Sequence, residues 1–292
     1  GQQYPSGCLY VVATPIGNMA DLSLRALHVL GLVDAVGCED TRVTAGLMQR
    51  LGLHKELLAV HEHNEARAAE QVVARLQGGQ RIAYVSDAGT PAISDPGARL
   101  VAAVQAAGLR VMPLPGASSV ATALCVAGDT EGQGFRFAGF APPKPKARAS
   151  WLEVELADGR TTVLFEAPHR IEALLQALAE AAPQRRLTLC RELTKQFEQI
   201  VTLPCADAPG WLQADAQHQK GEFVLVLHAV PAAAPAEGLD AVAERLLKAL
   251  LKQLPLKQAV AVAAEASGTA RNLLYAQALA WRGDAVQDEL EE

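Results

Sequence analysis

The stretch RIAYVSDAGTPAISDPGARLVAAVQAA, residues 81–107, decides the fold. Arg81–Ser86 is a strand-like run with an apolar, β-branched centre. Ala98–Ala107 spaces its apolar residues as a helix does. Between them, Ser86–Gly97 packs two carboxylates, three hydroxyls, two glycines and two prolines into twelve residues. Strand, Gly/Pro loop and helix form the repeating unit of an α/β sheet, and such sheets bind ligands beyond the carboxyl ends of their strands.

The same unit recurs on both sides. Strands are predicted at Leu9–Thr14, Ala35–Cys38, Leu57–Val60 and Arg110–Leu114, and helices at Leu22–Leu30, Ala45–Leu51 and Glu65–Leu76. Near-continuous apolar strands imply a mainly parallel sheet covered on both faces. A second, less regularly wound block follows, with strands expected at Phe135–Phe140, Thr161–Glu166, Leu187–Leu193, Glu198–Leu203 and Glu222–Val230. Helices are expected at Arg170–Ala181 and Pro209–Gln219, and Pro142, Pro143 and Pro145 read as an irregular basic linker. The low-complexity run Pro231–Gly238 reads as a second linker. Beyond it, Leu256–Ala266 and Ala270–Trp281 flank Ser267-Gly268 as helix, turn, helix, either a helix-turn-helix or a plain α-hairpin cap. The expected organisation is an α/β domain over 8–116, a second α/β domain over 117–230 and a small helical domain over 239–283.

Composition removes several classes of function. Half of the 292 residues are apolar and a fifth are charged, the opposite of a disordered chain. No apolar run approaches the ~20 residues needed to span a bilayer. Gly1–Gly7 has no secretory signal pattern, and five scattered cysteines without a CxxC pair point to small core residues in a reducing cytoplasm. The net charge of −6 leaves RNA only a local basic patch, and Arg136, Lys144, Lys146 and Arg148 supply one without an intervening acid. An equally ordinary reading of that patch is a solvated linker.

No Walker loop and no G-x-G-x-x-G follows the first strand, so the common phosphate and dinucleotide fingerprints are absent. Instead Thr14-Pro15-Ile16-Gly17-Asn18 and Pro113-Leu114-Pro115-Gly116-Ala117-Ser118-Ser119 end two further strands in the manner of Ser86–Gly97. Asp95 or Ser94 could cap the next helix, which explains the second half of that loop and not the first. Three such loops suggest a backbone-lined pocket, whose carbonyls and carboxylates favour a sulfonium and a ribose over a polyphosphate.

The set VVATPIGN, CEDTR, HEHNE, VSDAGTPAISDPG and PLPGASS resembles the tetrapyrrole-methylase-like (class III) methyltransferase superfamily, and within it the ribosomal RNA small-subunit methyltransferase I family. GFAPPKPKAR, FEAPHR, RELTK and KGEFVLVL carry the likeness through about residues 8–283. The resemblance implies two α/β domains with the active cleft between them, S-adenosyl-L-methionine as cofactor, and a homodimer. It further implies 2′-O-methylation of a cytidine ribose in the decoding region of 16S rRNA, at the position numbered 1402. Carried over, Pro15 and Gly17 match the first cofactor loop. Ser86, Asp87, Ala88, Gly89, Thr90, Ser94 and Asp95 match the second, and Pro115, Gly116, Ser118 and Ser119 the third. Phe165, Glu166, Ala167, Pro168 and His169 should close over the adenosine, with Glu222 nearby.

A ribose hydroxyl is a weak nucleophile, so a base or a cation is expected to assist it. Candidates are Asp40 and Arg42 in CEDTR, His63, Asn64 and Glu65 in HEHNE, and Lys195 in RELTK. Each also has a structural reading: Asp40 as a helix cap, His63 as a hydrogen-bonded structural residue, Lys195 as a surface charge. His61 and His63, two apart, would point to opposite faces of a strand, so no metal is expected. Two other functions stay open at this level. One is a small-molecule, tetrapyrrole-like methyltransferase, although Ile16-Gly17-Asn18 lacks the acidic ending of that branch. The other is a helix-turn-helix regulator that senses a ligand without catalysis.

Overall fold

A computed structural model describes residues 3–61, 64–230 and 241–288, with side chains undescribed at 241 and 282–288. The chain forms two compact units, Gly1–Val230 and Pro231–Glu292. The linker reading at Pro231–Gly238 and the candidate His63 lie outside the described residues.

The first sheet holds β1 (Cys8–Val12), β2 (Ala35–Cys38), β3 (Glu56–Ala59), β4 (Arg81–Val85) and β5 (Arg110–Leu114), all parallel, in the order β3-β2-β4-β1-β5. Alternation along the strands feeds two cores. Tyr10, Val12, Ala83 and Val85 pack under α1 (Leu24–Leu32) and α2 (Thr41–Arg50). Leu9, Ile82 and Tyr84 pack under α3 (Glu65–Gln77) and α4 (Ala98–Ala106). Coverage on both faces is why these strands are apolar throughout. Because β4 inserts between β2 and β1, the loops after β2, β4, β1 and β5 emerge side by side at one edge.

The second sheet runs β6 (Phe135–Phe140), β7 (Thr161–Glu166), β10 (Phe223–Leu227), β8 (Arg186–Arg191) and β9 (Gln199–Pro204). Only the β6–β7 pair is parallel; the register slips between Phe137 and Gly139, where Gly139 takes φ +68°. One face is covered by α6 (Pro145–Ala157), α7 (Ile171–Ala181) and α8 (Ala208–Gln213). The other is covered by Val120, Ala123 and Ala127 of α5 (Ser119–Ala127).

Two sequence expectations need correction. The irregular basic linker holds through Pro142 and Pro143 but ends at Lys144, because Pro145 occupies a first-turn position of α6, where its missing N–H costs nothing. The single helix expected at Pro209–Gln219 breaks into α8 and a short 3-10 turn at Ala216–Gln219, capped by the Asp215 carboxylate.

The second unit contains α9 (Ala241–Leu251), α10 (Leu256–Ser267) and α11 (Arg271–Asp288). Leu247, Ala259, Val260, Ala263 and Leu274 form its core, and Gly268 makes the turn at φ +71°. Among the described residues no helix is long and apolar enough to cross a membrane.

Candidate functional site

The strand-end loops are joined mainly by backbone. Thr14 and Gly89 exchange two hydrogen bonds, N–H to O at 2.9 and 3.1 Å, in an isolated antiparallel bridge. The Thr14 hydroxyl donates to the Ser86 carbonyl at 3.2 Å, and the Ser86 hydroxyl to that of Gly89 at 3.1 Å. Thr90 then donates to the Ala117 carbonyl at 2.9 Å, tying the second loop to the third. Ala92 and Ser94 both hold left-handed backbone (φ +65° and +62°), a strain that persists only where surroundings impose it.

The loop's far end is anchored from a distance. α4 starts at Gly97 with no side-chain cap of its own. Glu65 supplies it instead: one buried carboxylate oxygen accepts from the amides of Gly97, Arg99 and Leu100 at 3.0, 3.1 and 3.3 Å. Neither Ser94 nor Asp95 caps this helix. Gly97 is at φ +128°, and a Cβ there would lie 2.4 Å from Cε1 of Tyr84.

These ties bring Ala88, Gly89, Thr90, Ser94 and Asp95 of the second loop into one cavity with Ser118 and Ser119 of the third. Phe165 joins them from β7, as do Ile93 and Phe140, which the sequence did not single out. Pro15, Gly17 and Asp87 line a neighbouring cavity, together with Arg42. Ser86 is buried beneath the bridge. Pro115 and Gly116 are exposed beside Ala13, whose Cβ would be 2.9 Å from a Cβ at 116.

A row of carboxylates follows the strand order. The Asp40 amide donates to Asp87 Oδ1 at 3.2 Å. Burial, then repulsion from Asp87, Asp95 and Asp40, lifts Glu39 above the usual carboxylate range against the pull of His61. Burial and Asp87 lift Asp95 likewise, against a hydrogen bond from Ser86. Asp40 goes the other way, to about 2, because the Arg42 side chain and amide both donate to it. Such a row favours a bound cation, and among the described residues no group of His, Cys, Asp and Glu is arranged to hold a metal.

The remaining candidates divide. Asp40 caps α2, as its alternative reading expected. Asn64 closes a turn, its Oδ1 accepting from His61 N–H at 2.8 Å and its Nδ2 donating to the Ala59 carbonyl at 3.0 Å. Glu65 is the buried cap described above, which leaves it no open face toward the loops. Glu166 is also buried, pairing with Arg170 at 3.0 Å and accepting from the Ala167 amide at 2.9 Å, so it shapes the turn carrying exposed Pro168 and His169. Arg170 is itself anchored on the Ala141 carbonyl.

Lys195 is placed at the first loop. A Cβ on Gly17 would stand 2.5 Å from Lys195 Cγ, so only glycine fits there. The Lys195 ammonium is held by Glu192 and Glu222, each at 2.9 Å, and Glu192 also accepts from the Glu222 amide. Partial burial disfavours its charge, but the two carboxylates outweigh that and raise its pKa. Glu192 and Thr194 both sit at positive φ (+52° and +66°), a second strained turn facing the same edge.

The basic patch also divides. Arg136 pairs with the buried Glu155 at 2.8 Å and with Asp158 at 3.5 Å, so it is a structural ion pair and not a free cation. Lys144, Lys146 and Arg148 lie at the start of α6, which has no acid in its first turn. Cations there add to the positive helix end, an arrangement poor for helix stability and good for phosphate.

Comparison with known proteins places these features. The family model Tetrapyrrole (Corrin/Porphyrin) Methylases matches residues 8–209, and RsmI C-terminal HTH domain matches residues 237–282. A ribosomal RNA small subunit methyltransferase I of Neisseria meningitidis serogroup B is 47% identical, the match covering 94% of each chain. Its counterpart from Pseudomonas aeruginosa is 46% identical over 95% of this chain and 99% of its own. Among solved structures, the methyltransferase CobJ aligns with TM-score 0.57 at 18% identity, over 79% of this chain and 98% of its own. Uroporphyrin-III-C-methyltransferase from Thermus thermophilus aligns with TM-score 0.53 at 23% identity, over 76% and 94%. At that identity the two structures speak for the fold alone.

Proposed function

The chain belongs to the tetrapyrrole methylase family and, within it, to the ribosomal RNA small subunit methyltransferase I family, and from that premise we propose that it methylates the 2′-oxygen of a cytidine ribose in the decoding region of 16S rRNA, with S-adenosylmethionine as donor. The observation that carries the reading is the junction of three strand-end loops, bolted by Thr14–Gly89 and Thr90–Ala117, around two adjacent cavities beside a row of carboxylates.

The residues present fit this cofactor. The cavity wall is backbone, hydroxyls and two phenylalanines, suited to an adenosine, while Asp87, Asp95 and Glu39 offer negative charge to a cation. When bound, S-adenosylmethionine supplies a methyl group activated by its positive sulfur, open to in-line displacement. The chain's own part is positioning and charge. Lys195, kept protonated by Glu192 and Glu222, cannot serve as a base and instead stabilises negative charge developing on the hydroxyl oxygen. Asp95 and Glu39, whose raised pKa values bring them closer to neutrality, are suited to accept the departing proton. Lys144, Lys146 and Arg148 hold RNA backbone in this reading, and Arg136 does not. A cytoplasmic homodimer belongs to the same reading, and light scattering of the purified chain checks the dimer.

The test offers labelled S-adenosylmethionine with small-subunit particles, naked 16S rRNA and a tetrapyrrole, and maps the label. The expected product is a cytidine labelled on its 2′-oxygen in the decoding region. Label on a base, or on the macrocycle alone, overturns the reading.

A further inference from the structure

We propose that the face of α2 carrying Arg42, Gly46 and Arg50 is the subsite that grips the RNA backbone next to the reacting ribose; this rests on the rRNA methyltransferase reading above. The three residues are four apart and so line one helical stripe. They line a cavity of about 320 Å³ together with the first loop, through Pro15, Gly17 and Met19, and with Asp87.

Gly46 is the informative residue. It lies inside a helix, where glycine costs ~1 kcal/mol relative to alanine. Its backbone is not left-handed, and nothing stands within 4 Å of the place a Cβ would take. Neither conformation nor packing therefore calls for glycine. What its missing side chain leaves is room between two cations.

Those cations have capacity to spare. Arg50 is exposed and has no ion-pair partner among the described residues. Arg42 binds Asp40 through Nε and Nη2, which leaves both Nη1 protons and one on Nη2 to donate outward. The two residues are separated by about 12 Å along the helix axis, at 1.5 Å per residue, enough for a nucleotide with its flanking phosphates. The same cavity is lined by Asp87, from the carboxylate row, and by Gly17, against which Lys195 packs. A ribose held by phosphates on Arg42 and Arg50 thus lies beside the first loop, where Lys195, the residue assigned to charge on its oxygen, packs against Gly17. Thr14, which lines this cavity, is bridged to Gly89, which lines the other, so one pair of hydrogen bonds is the wall between acceptor and donor.

The experiment uses the full chain with Gly46→Trp and Arg50→Glu, measuring S-adenosylmethionine affinity by calorimetry and label transfer into small-subunit particles. Gly46→Trp fills the cavity without a clash at the backbone, so unchanged cofactor affinity is expected, with kcat/KM for RNA reduced on the order of 100-fold. Arg50→Glu, on an exposed side chain, should weaken RNA binding and lower the salt dependence by about one phosphate contact or more. Wild-type transfer by both variants overturns the subsite while leaving the function standing. Loss of cofactor affinity in step with transfer also overturns it, because the cavity then holds the cofactor's own carboxylate. If the unaltered chain labels no RNA at all, the function reading fails and the subsite falls with it.

Discussion

The two halves of Gly1–Val230 hold their loops by different means. In the first half, amides, hydroxyls and carbonyls join Thr14 to Gly89 and Thr90 to Ala117, and glycines stand where a Cβ would collide. In the second, the turns are held by charge: Glu166 on Arg170, and Glu192 and Glu222 on Lys195. Loops fixed by shape tolerate salt and acid but not volume. Loops fixed by charge respond to pH and to the loss of a partner, although Gly221, at φ +90° against Glu192, leaves no room for a side chain there either.

The sharpest way to break this contrast is Gly97→Ala. Its φ of +128° and the overlap an added Cβ would make with the Tyr84 ring make even a methyl group intolerable, and a loss of about 3 kcal/mol in denaturant unfolding is expected. A loss below ~1 kcal/mol would show that the loop yields, and shape is then not what holds it. Lys195→Met addresses the charge-held side: turnover should fall on the order of 100-fold while cofactor affinity stays, since a stabilising charge on the reacting oxygen is gone. A fall in cofactor affinity alone would make Lys195 a binding residue.

Glu65→Ala sharpens the comparison by testing its exception, a carboxylate in the shape-held half. Three amides lose their acceptor, two of them buried, and about 2 kcal/mol of stability should go with them. The smallest effect is expected at His228, buried in the second half with its Nε2 2.7 Å from Thr188 Oγ1. Burial lowers its pKa from the ordinary 6.5, and the neighbouring Arg186 and Arg185 add to that against the pull of Asp129. The folded chain therefore binds fewer protons than the unfolded one once pH drops through that value. The stability His228 contributes is complete above it and lost as pH falls toward the folded-state pKa. His228→Gln should flatten the decline of melting temperature between about pH 7 and pH 5. An unchanged slope would remove His228 from the account.

The first sheet was readable in advance because its strands are buried on both faces, so Leu9–Val12 and Ile82–Val85 are apolar at every position. The loops at their ends were readable because backbone that approaches a ligand demands glycine, proline and small hydroxyls. What escaped has two causes. Prolines at 142, 143 and 145 look like a linker, yet the last of them starts α6, whose mixed apolar and polar positions form no clear stripe. The duties of Glu65 and Arg136 depend on partners at Gly97 and Glu155, which no local pattern connects to them. For Arg50 a signal existed in the spacing of Arg42, Gly46 and Arg50, but it means nothing until α2 is seen opposite the first loop.

The Thr14–Gly89 bridge has a consequence for anyone who would re-engineer this scaffold. Residues 14–18 and 86–97 interlock as two pieces of one part, and Thr90 hooks the third loop onto them. Swapping a single loop from another methylase would import a sequence whose mate is missing. Transplants should travel as a trio, and a library that varies one loop should freeze the other two.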